Sequence, residues 1–295
     1  MAKRIFTVEE INDICETYKK EQKRTNLMKK YQCTDKVIVR VLTENNIEIK
    51  RLPRKTKVDL RKFQINDNYF NPNNQTHNSA YILGMLASDG CVASNQNQIY
   101  IELQRKDKEI LEKINIELQN ERPIKDYHNN CKDYENSKLY FFSQQIKQDL
   151  SLYNIIPNKT AFDNDFFQNI KPEYYMDYIR GHFDGDGSIK WTNGTINWQI
   201  DSTSLTTLNH MVVILQQYGI IAKILKHTEE CKNRNRTKDL YRIYFYGKDN
   251  AIKLYKLFYQ LPPEQALRMS RKQQHFNELL LKYKTHETSD LHNED

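Results

Sequence analysis

The apolar and polar residues of this chain follow a pattern that occurs twice. Tyr81–Val92 aligns with Tyr178–Ile189 at an offset of 97 positions, with Tyr, Ile, Gly, Asp and Gly coinciding. Each segment is an apolar stretch that ends in Asp-Gly, which predicts a buried helix followed by a turn. The same offset places Ile99–Gln104 on Ile196–Asp201, and both segments alternate as half-buried strands do. An internal repeat of this length indicates two copies of one structural unit.

Each copy continues with the same series of predicted elements. The unit is a helix, two strands, a second helix, two more strands and a last helix. Asp107 and Ser204 occupy equivalent positions, and each is predicted to cap the helix that follows it. We therefore predict an α+β fold with one repeat over residues 76–165, a second over 166–284, and a polar tail over 285–295.

The first fifty residues have a different pattern, with apolar residues at helical spacing in three short segments. Thr7 and Glu10 form a predicted capping box for the first helix, and Thr34 is placed to cap the third. A short second helix, a tight turn and a capped third helix is the plan of a helix-turn-helix, and the third helix resembles the recognition helix of resolvase-like domains. Residues 1–50 are thus predicted to be a small all-helical DNA-binding domain, or else a purely structural bundle. The side chains predicted to face the major groove are Lys36, Val37 and Arg40.

The charge of the chain is concentrated at its start. Residues 1–62 contain 17 Lys and Arg against 9 Asp and Glu, whereas the remaining residues contain 28 against 29. Such an asymmetry favours contact with a polyanion at the basic end. We predict a basic linker over residues 51–75 that contacts the DNA backbone. The basic side chains assigned to this contact are Arg51, Arg54 and Lys55.

Several classes of protein are disfavoured by the composition. The 31 Phe and Tyr residues are spread through the chain, which disfavours a disordered protein. No uncharged apolar run approaches the roughly 18–20 residues of a membrane span, and no secretion signal is recognisable. The five cysteines are widely spaced, without the short gap of a zinc clamp. We predict an intracellular protein, in the cytoplasm, the nucleoid or an organelle.

The two motif segments have a pattern that brings acidic groups together. Gly84 and Ser88 lie four residues apart, as do Gly181 and Gly185, so each predicted helix has a face of small residues. Two such faces let the helix backbones approach more closely than is usual. The acids that end the helices, Asp89 and Asp186, would then lie side by side. Two neighbouring carboxylates repel, and a hard divalent cation such as Mg²⁺ is what oxygen ligands of this kind hold.

Both segments resemble the LAGLIDADG motif of homing endonucleases, and the resemblance extends over about residues 65–282. It implies a pseudo-twofold saddle of two four-stranded antiparallel sheets, with the two motif helices at the interface between the repeats. It also implies a divalent cation bound by Asp89 and Asp186, beside Gly90 and Gly187. Asp184, whose equivalent is Ala87, is expected to support or cap the motif rather than to bind the cation.

The resemblance also implies roles for residues on the strands and near the repeat ends. Glu102 and Gln199 occupy the strand positions that support the water network around the cation, although Glu is less usual there than Gln. Lys159 in the first repeat, and Arg271 or Lys272 in the second, are the candidates for stabilising phosphate charge. Polar strand residues are expected to contact bases, and those selected are Gln98, Tyr100, Gln104, Asn197 and Asp201.

The predicted function is that of a Mg²⁺-dependent, site-specific homing endonuclease that makes a double-strand break in DNA. Since the repeat supplies both half-sites, we expect a monomer acting on a long asymmetric target. Two alternatives remain open. One is a transcription regulator on the same scaffold, which binds DNA without cutting it; the other is an RNA-splicing maturase.

Overall fold

The computed structural model divides the chain into two compact units, which meet in sequence between Lys62 and Phe63. The residues that it describes are 6–21, 23–49, 62–129, 134–227, 239–262 and 267–290. Arg51, Arg54 and Lys55 lie outside these ranges. Within them, no helix combines the length and the apolar character that crossing a membrane requires.

The first unit consists of three helices, as the apolar spacing predicts. They are α1 (Val8–Glu21), α2 (Arg24–Lys30) and α3 (Asp35–Glu44). The predicted capping box is present, because the Thr7 N–H donates to Glu10 Oε2 at 2.9 Å and the Glu10 N–H donates to Thr7 Oγ1 at 3.2 Å. Thr34 is the N-cap residue of α3, but its side chain makes no capping hydrogen bond. A core of apolar side chains, with Ile14, Leu27, Ile38 and Leu42 fully buried, holds the three helices together.

The second unit contains the predicted repeat, and the described strands form two four-stranded antiparallel sheets. The first copy comprises α4 (His77–Ser88), β1 (Gly90–Val92), β2 (Gln98–Gln104), α5 (Lys108–Glu117), β3 (Lys125–Asn129), β4 (Tyr134–Phe142) and α6 (Gln144–Leu152). The second copy comprises α7 (Tyr175–Asp186), β5 (Gly187–Thr192), β6 (Thr195–Ser202), α8 (Leu205–Gln217), β7 (Lys223–His227), β8 (Leu240–Tyr246) and α9 (Lys248–Tyr259). A further helix, α10 (Ser270–Asp290), follows the second copy. The strand orders β1-β2-β4-β3 and β5-β6-β8-β7 are identical, which confirms the α+β fold with tandem αββαββα repeats.

Each sheet has a buried face and an outward face, because successive side chains of a strand point to opposite sides. On β2 the inward residues are Ile99, Ile101 and Leu103, and the outward residues are Gln98, Tyr100, Glu102 and Gln104. On β6 the inward residues are Ile196, Trp198 and Ile200, with Asn197, Gln199 and Asp201 on the other face. Phe183, Trp198 and Phe245 stack in succession beneath the second sheet. The polar residues of the central strands are therefore collected on the faces that do not carry the core.

The two motif helices pack directly against each other, and glycine makes their approach possible. A Cβ atom on Gly181 would lie 2.0 Å from the Tyr81 carbonyl oxygen, and one on Gly84 would lie 2.2 Å from the Tyr178 carbonyl oxygen. Both distances are far inside van der Waals contact with backbone atoms, so neither position has room for a side chain. The close approach predicted from the small-residue faces is present at these glycines.

The chain between Phe63 and the first motif helix is an integral part of the second unit. Ile65 and Phe70 are buried in the core of this unit. The backbone N–H of Asn66 donates to the Leu118 carbonyl, and the Glu121 N–H donates to the Gln64 carbonyl. The end of the predicted linker 51–75 is thus part of the folded repeat, because its apolar residues add to the core.

The middle helices of the two repeats, α5 and α8, differ in whether the residue before the helix caps it. Ser204 caps α8 as predicted, with its hydroxyl accepting a hydrogen bond from the Thr207 N–H at 3.1 Å. Asp107 precedes α5 but makes no capping hydrogen bond. Its carboxylate instead accepts two hydrogen bonds from Arg271, at 2.7 and 2.8 Å. The cap predicted for Asp107 is therefore wrong, because α10 supplies a charged partner that the repeat pattern does not reveal.

Candidate active site at the ends of the motif helices

The acids of the two motifs emerge together where the paired helices end. Asp89 is the C-cap residue of α4, and Asp186 is the last residue of α7. A Cβ atom on Gly185 would lie 3.0 Å from Asp89 Oδ2 and 2.0 Å from Ser88 Oγ, so the absence of a side chain at Gly185 lets the first motif reach the second. The small-residue faces predicted from Ser88 and Gly185 thus bring the two carboxylates into one site.

The two carboxyl groups share an environment that opposes their ionisation. Burial raises the pKa of Asp89 to about 7, and the neighbouring charge of Asp186 adds to the effect. Asp186 is an exposed residue, yet desolvation of its carboxyl group by the surrounding protein also raises its pKa. The charges of Lys159 and Lys272 oppose both shifts. Without a bound cation, the pair is therefore an electrostatically unfavourable arrangement.

Two buried lysines lie behind the acids, one from each repeat. The Lys272 ammonium donates to the carbonyls of Phe183, Gly185 and Gly187 at 2.5, 3.2 and 2.7 Å. The Lys159 ammonium donates to the Gly90 carbonyl. Cations at these positions neutralise the negative ends of the motif helices. Burial lowers the pKa of Lys272 to about 8 and also lowers the pKa of Lys159.

The structure separates the two basic candidates that the sequence leaves open in the second repeat. Lys272 Nζ lies against the end of α7, whereas Arg271 forms its bidentate pair with Asp107. Lys272 is therefore the residue beside the acids. In the first repeat the equivalent place is taken by Lys159, which follows Asn158 in a left-handed turn with φ of 56°. Asn tolerates this conformation better than most residues do.

Gly90 and Gly187 begin the strands that follow the two acids. A Cβ atom on Gly90 would lie 2.5 Å from the Leu86 backbone, and one on Gly187 would lie 2.5 Å from the Phe183 carbonyl oxygen. Their carbonyl oxygens accept hydrogen bonds from the two lysines. A carbonyl oxygen has a second lone pair. The prediction that these residues help to bind a cation stays a prediction.

Glu102 and Gln199 lie on the outward faces, at equivalent places in β2 and β6. Glu102 accepts a hydrogen bond from Asn136 Nδ2 at 2.7 Å, and its other oxygen lies 3.7 Å from Lys138 Nζ. Gln199 lies between Ser188 and Tyr244 on the neighbouring strands. The first side chain is thus fixed by a cationic and an amide partner. The support of a water network by either residue remains a prediction.

The predicted base-contacting residues are all on outward faces, but their surroundings differ. Lys138 Nζ lies 3.4 Å from the centre of the Tyr100 ring. Asn197 is only 5% exposed, so its neighbours cover most of its side chain. Asp201 accepts two hydrogen bonds from Arg242, at 2.6 and 2.8 Å, which makes it a carboxylate that positions a guanidinium. Gln98 and Gln104 stand at the two ends of β2.

The three residues of α3 that are predicted to face the groove also differ in their exposure to solvent. Lys36 is exposed, while Val37 is half-buried and packs against the core of the first unit. Arg40 is half-buried and lies 3.8 Å from Glu44. Of these side chains, Lys36 is the most accessible to a macromolecular partner.

The second motif helix contains a buried polar network, of which the sequence pattern predicts only a supporting role for Asp184. Arg180 is fully buried and donates to Asp177 Oδ1 at 2.8 Å, while His77 Nδ1 lies 2.7 Å from Asp177 Oδ2. Asp184 accepts hydrogen bonds from the Tyr81 hydroxyl at 2.7 Å and from the Met269 N–H at 2.8 Å. The sequence carried a signal, since apolar residues occupy the equivalent positions of the first motif. Asp184 thus links the first repeat and the chain before α10 to the second motif helix.

The family of the chain follows from its sequence. Residues 76–146 and 173–258, more than half of the chain, match the LAGLIDADG-like domain. The chain therefore belongs to the LAGLIDADG-like domain family, with two copies of the domain. It is also 26% identical over 215 residues to an uncharacterized protein of Methanocaldococcus jannaschii, which corresponds to 69% of this chain and 73% of that protein.

Solved structures with a similar arrangement of elements share little sequence with this chain. The meganuclease I-SmaMI bound to uncleaveable DNA has 14% identity and a TM-score of 0.48, covering 77% of this chain and 96% of its own. I-DmoI in complex with DNA and Ca has 15% identity and a TM-score of 0.42, covering 64% and 95%. The N-terminal LAGLIDADG domain of DUF199/WhiA has 13% identity and a TM-score of 0.42, covering 72% and 96%.

Proposed function

We propose that this protein is a site-specific DNA endonuclease that makes a metal-dependent double-strand break. The observation that carries the proposal is the pairing of Asp89 with Asp186 at the ends of two helices from different repeats. Each repeat contributes one acid and one buried lysine to this site. A site built from two equivalent halves suits a reaction performed once on each of two antiparallel strands.

The residues present fit a divalent cation. The candidate is the pair of carboxyl groups at the ends of α4 and α7, whose pKa values are both raised by burial. Among the described residues, no group of three or more His, Cys, Asp or Glu side chains is placed to hold a metal ion. Mg²⁺ is commonly held by one or two carboxylates while it keeps water and phosphate ligands. Asp89 and Asp186 would hold it, and the raised pKa of Asp89 is relieved by a neighbouring positive charge. When bound, the cation supplies Lewis-acid activation of the scissile phosphate and of an attacking water.

The chain's own residues have distinct parts in this proposal. Lys159 and Lys272 hold the ends of the motif helices and place positive charge behind the acids. Glu102 and Gln199 orient water at the edge of the site. The outward faces of the two sheets contact the major groove of double-stranded DNA, through Gln98, Tyr100 and Gln104, while Asp201 acts by positioning Arg242. The buried Asn197 supports this face from within rather than contacting the bases. Since one chain carries both repeats, we expect it to act as a monomer on a long asymmetric site.

The N-terminal unit is proposed to add a further DNA contact. Lys36 is the exposed member of the α3 set, with Val37 and Arg40 beside it. Arg51, Arg54 and Lys55 follow in a basic segment that suits backbone contact. Together they would contact DNA in addition to the surfaces of the two repeats.

The test is a cleavage selection on randomised and host genomic DNA with Mg²⁺. The wild-type protein is expected to produce specific double-strand cuts, and Asp89→Asn and Asp186→Asn are each expected to abolish them. Lys113→Ala is a suitable control, because Lys113 pairs with Glu109 on α5, which contacts the buried face of the first sheet. Cuts that persist in both Asn variants would overturn the assignment of the site.

A second candidate is a DNA-binding regulator that does not cut. The three-helix N-terminal unit favours it, because a separate DNA-binding unit suits a protein that acts by occupancy. This candidate predicts specific binding without cleavage in the same selection, unchanged by either Asn substitution. The retention of both acids in one site favours the endonuclease.

A further inference from the structure

Arg122, beside the first sheet, lies among aromatic side chains and belongs to none of the motifs described above. Its guanidinium carbon lies 4.5 Å from the ring centre of Phe63, 4.9 Å from that of Tyr140 and 5.1 Å from that of Phe142. Three aromatic rings thus surround one guanidinium. Cation–π contacts of this kind attract and orient a guanidinium without using its N–H donors.

The cluster lies on the outward face of the sheet. Tyr140 and Phe142 alternate along β4 with the buried Leu139 and Phe141, so their rings point away from the core. Phe142 is 36% exposed, which leaves this part of the face open to solvent. In the sheet register Tyr140 stands opposite Tyr100, and Phe142 stands opposite Gln98.

The backbone around Arg122 is fixed by its neighbours. The Arg122 N–H donates to Asn120 Oδ1 at 3.4 Å, and its carbonyl accepts from Asn115 Nδ2 at 3.3 Å. Gln64 exchanges hydrogen bonds with Glu121, which places Phe63 beside Arg122. The residue after Arg122 is proline, which restricts the Arg122 backbone to extended conformations. The guanidinium is therefore held at a defined place before a partner arrives.

The donors of this guanidinium are not used within the described chain. No acidic side chain or hydrogen-bond acceptor among the described residues contacts it. An arginine carries five N–H donors in a planar fork that matches the geometry of a phosphate group. By contrast, Arg105 on the same repeat pairs with Glu135, and Arg242 on the second sheet pairs with Asp201.

We infer that the Arg122 guanidinium binds a backbone phosphate of DNA, at the margin of the surface formed by the first sheet. The strand order places β3, which Arg122 precedes, at the edge of the sheet. The major groove is about 12 Å wide and admits a two-stranded ribbon, whereas neighbouring strands lie about 4.8 Å apart, so the edge strand of a four-stranded sheet reaches the phosphates that border the groove. This inference rests on the DNA-binding part of the proposed function and extends it to a residue that the motifs do not identify.

The experiment measures binding to a pool of short randomised duplexes, without divalent cations so that no strand is cut, at several salt concentrations. Arg122→Ala is expected to weaken binding by about tenfold on all sequences. It should also reduce the slope of log affinity against log salt by about 0.9, the value for one lost phosphate contact. Arg122→Lys should keep the slope but bind more weakly, because a point charge replaces the fork.

Two further variants separate the aromatic support from the charge. Tyr140→Leu should weaken binding by a few-fold with little change of slope, since the guanidinium remains but is less restrained. Lys113→Ala removes one charge from α5, on the helical side of the same repeat, and should leave both quantities unchanged. Thermal melts of each variant show whether the fold is retained.

The outcomes distinguish this inference from the proposed cleavage. An unchanged affinity and slope for a folded Arg122→Ala variant would overturn the inference while leaving the endonuclease intact. A loss confined to duplexes with guanine at one position, with the slope unchanged, would assign Arg122 to base reading and overturn the phosphate site. Wild-type binding without any cutting would refute the cleavage alone, and the Arg122 result would still stand. Absence of DNA binding by the wild-type protein would refute both.

Discussion

The two motif helices have the same backbone plan but bury different chemistry. At four equivalent positions α4 carries Ala80, Leu83, Met85 and Ala87, whereas α7 carries Asp177, Arg180, His182 and Asp184. All eight side chains are buried. The glycines at the closest approach and the acids at the helix ends are shared. The close approach of the helices therefore constrains the shared positions, whereas the residue type at the other positions depends on which partners the opposing helix offers.

The two buried acids of α7, Asp177 and Asp184, are tolerated because α4 and the chain before α10 supply partners for them. His77 contacts Asp177, and the Tyr81 hydroxyl donates to Asp184. Burial lowers the pKa of His182 to about 3, so this residue is neutral in the folded protein at ordinary pH. A buried polar group without a partner is strongly destabilising. The second repeat therefore depends on the first for the stability of its own helix.

The largest effect is expected when the buried charge pair of α7 is broken. Arg180→Met leaves the Asp177 carboxylate buried without its guanidinium, and removal of one partner of such a pair costs about 3–5 kcal/mol. Urea denaturation should show this loss in the free energy of unfolding. Asp177→Ala combined with Arg180→Leu copies the residues of α4 and should recover more than half of it. Equal losses in the single and double variants would show that the network does not act as a unit.

A second large loss of stability is expected at Gly181, which is equivalent to Gly84 in the other motif helix. Gly181→Ala places a Cβ atom 2.0 Å from the Tyr81 carbonyl oxygen, and the helices must move apart. We expect a loss of roughly 2–3 kcal/mol or more, together with loss of cleavage as the acids separate.

Gly185→Ala is the matched control for this glycine. Its Cβ atom meets mainly the Ser88 side chain, so Ser88→Gly in the same chain should relieve the clash. If Gly181→Ala were as mild as this double variant, the glycine contact would not set the helix distance.

The sequence predicts those parts of the fold and of the site that occur in both repeats, and it does not predict those that occur in only one. The tandem fold, the close helix pair and the meeting of Asp89 with Asp186 follow from a pattern present twice. The partners of Asp107 and Asp184 do not, because Arg271 and Met269 lie after α9, the last element that the two repeats have in common. Arg122 was missed for the same reason, since Phe63 reaches it through a contact between distant parts of the chain.

The shared acids provide a third test, in which a substitution stabilises the protein. The pKa of Asp89 rises from 3.8 to about 7 on folding, so ionisation destabilises the folded state as the pH increases between these values. Without divalent cations, Asp89→Asn should raise the free energy of unfolding by about 2 kcal/mol at pH 8, after allowance for solvent near the site. The difference should vanish near pH 4, where the aspartate is protonated in the folded state.

Divalent cations should reverse this order at pH 8, because Mg²⁺ stabilises the wild-type protein and not the Asn variant. Melting temperatures measured with and without the cation give the result. Parallel curves at every pH would contradict the raised pKa.

The smallest changes in the free energy of unfolding are expected at the equivalent positions 107 and 204. Ser204 caps α8 by a neutral hydrogen bond to the Thr207 N–H, so Ser204→Ala should cost about 1 kcal/mol at any salt concentration. Asp107 acts through the half-exposed Arg271, so Asp107→Asn should cost roughly 0.5 kcal/mol, and this loss should disappear near 1 M salt. Urea denaturation at low and high salt distinguishes the two. If both losses respond to salt alike, Asp107 and Ser204 stabilise their repeats by the same means, and the difference between the repeats at this position is only one of residue type.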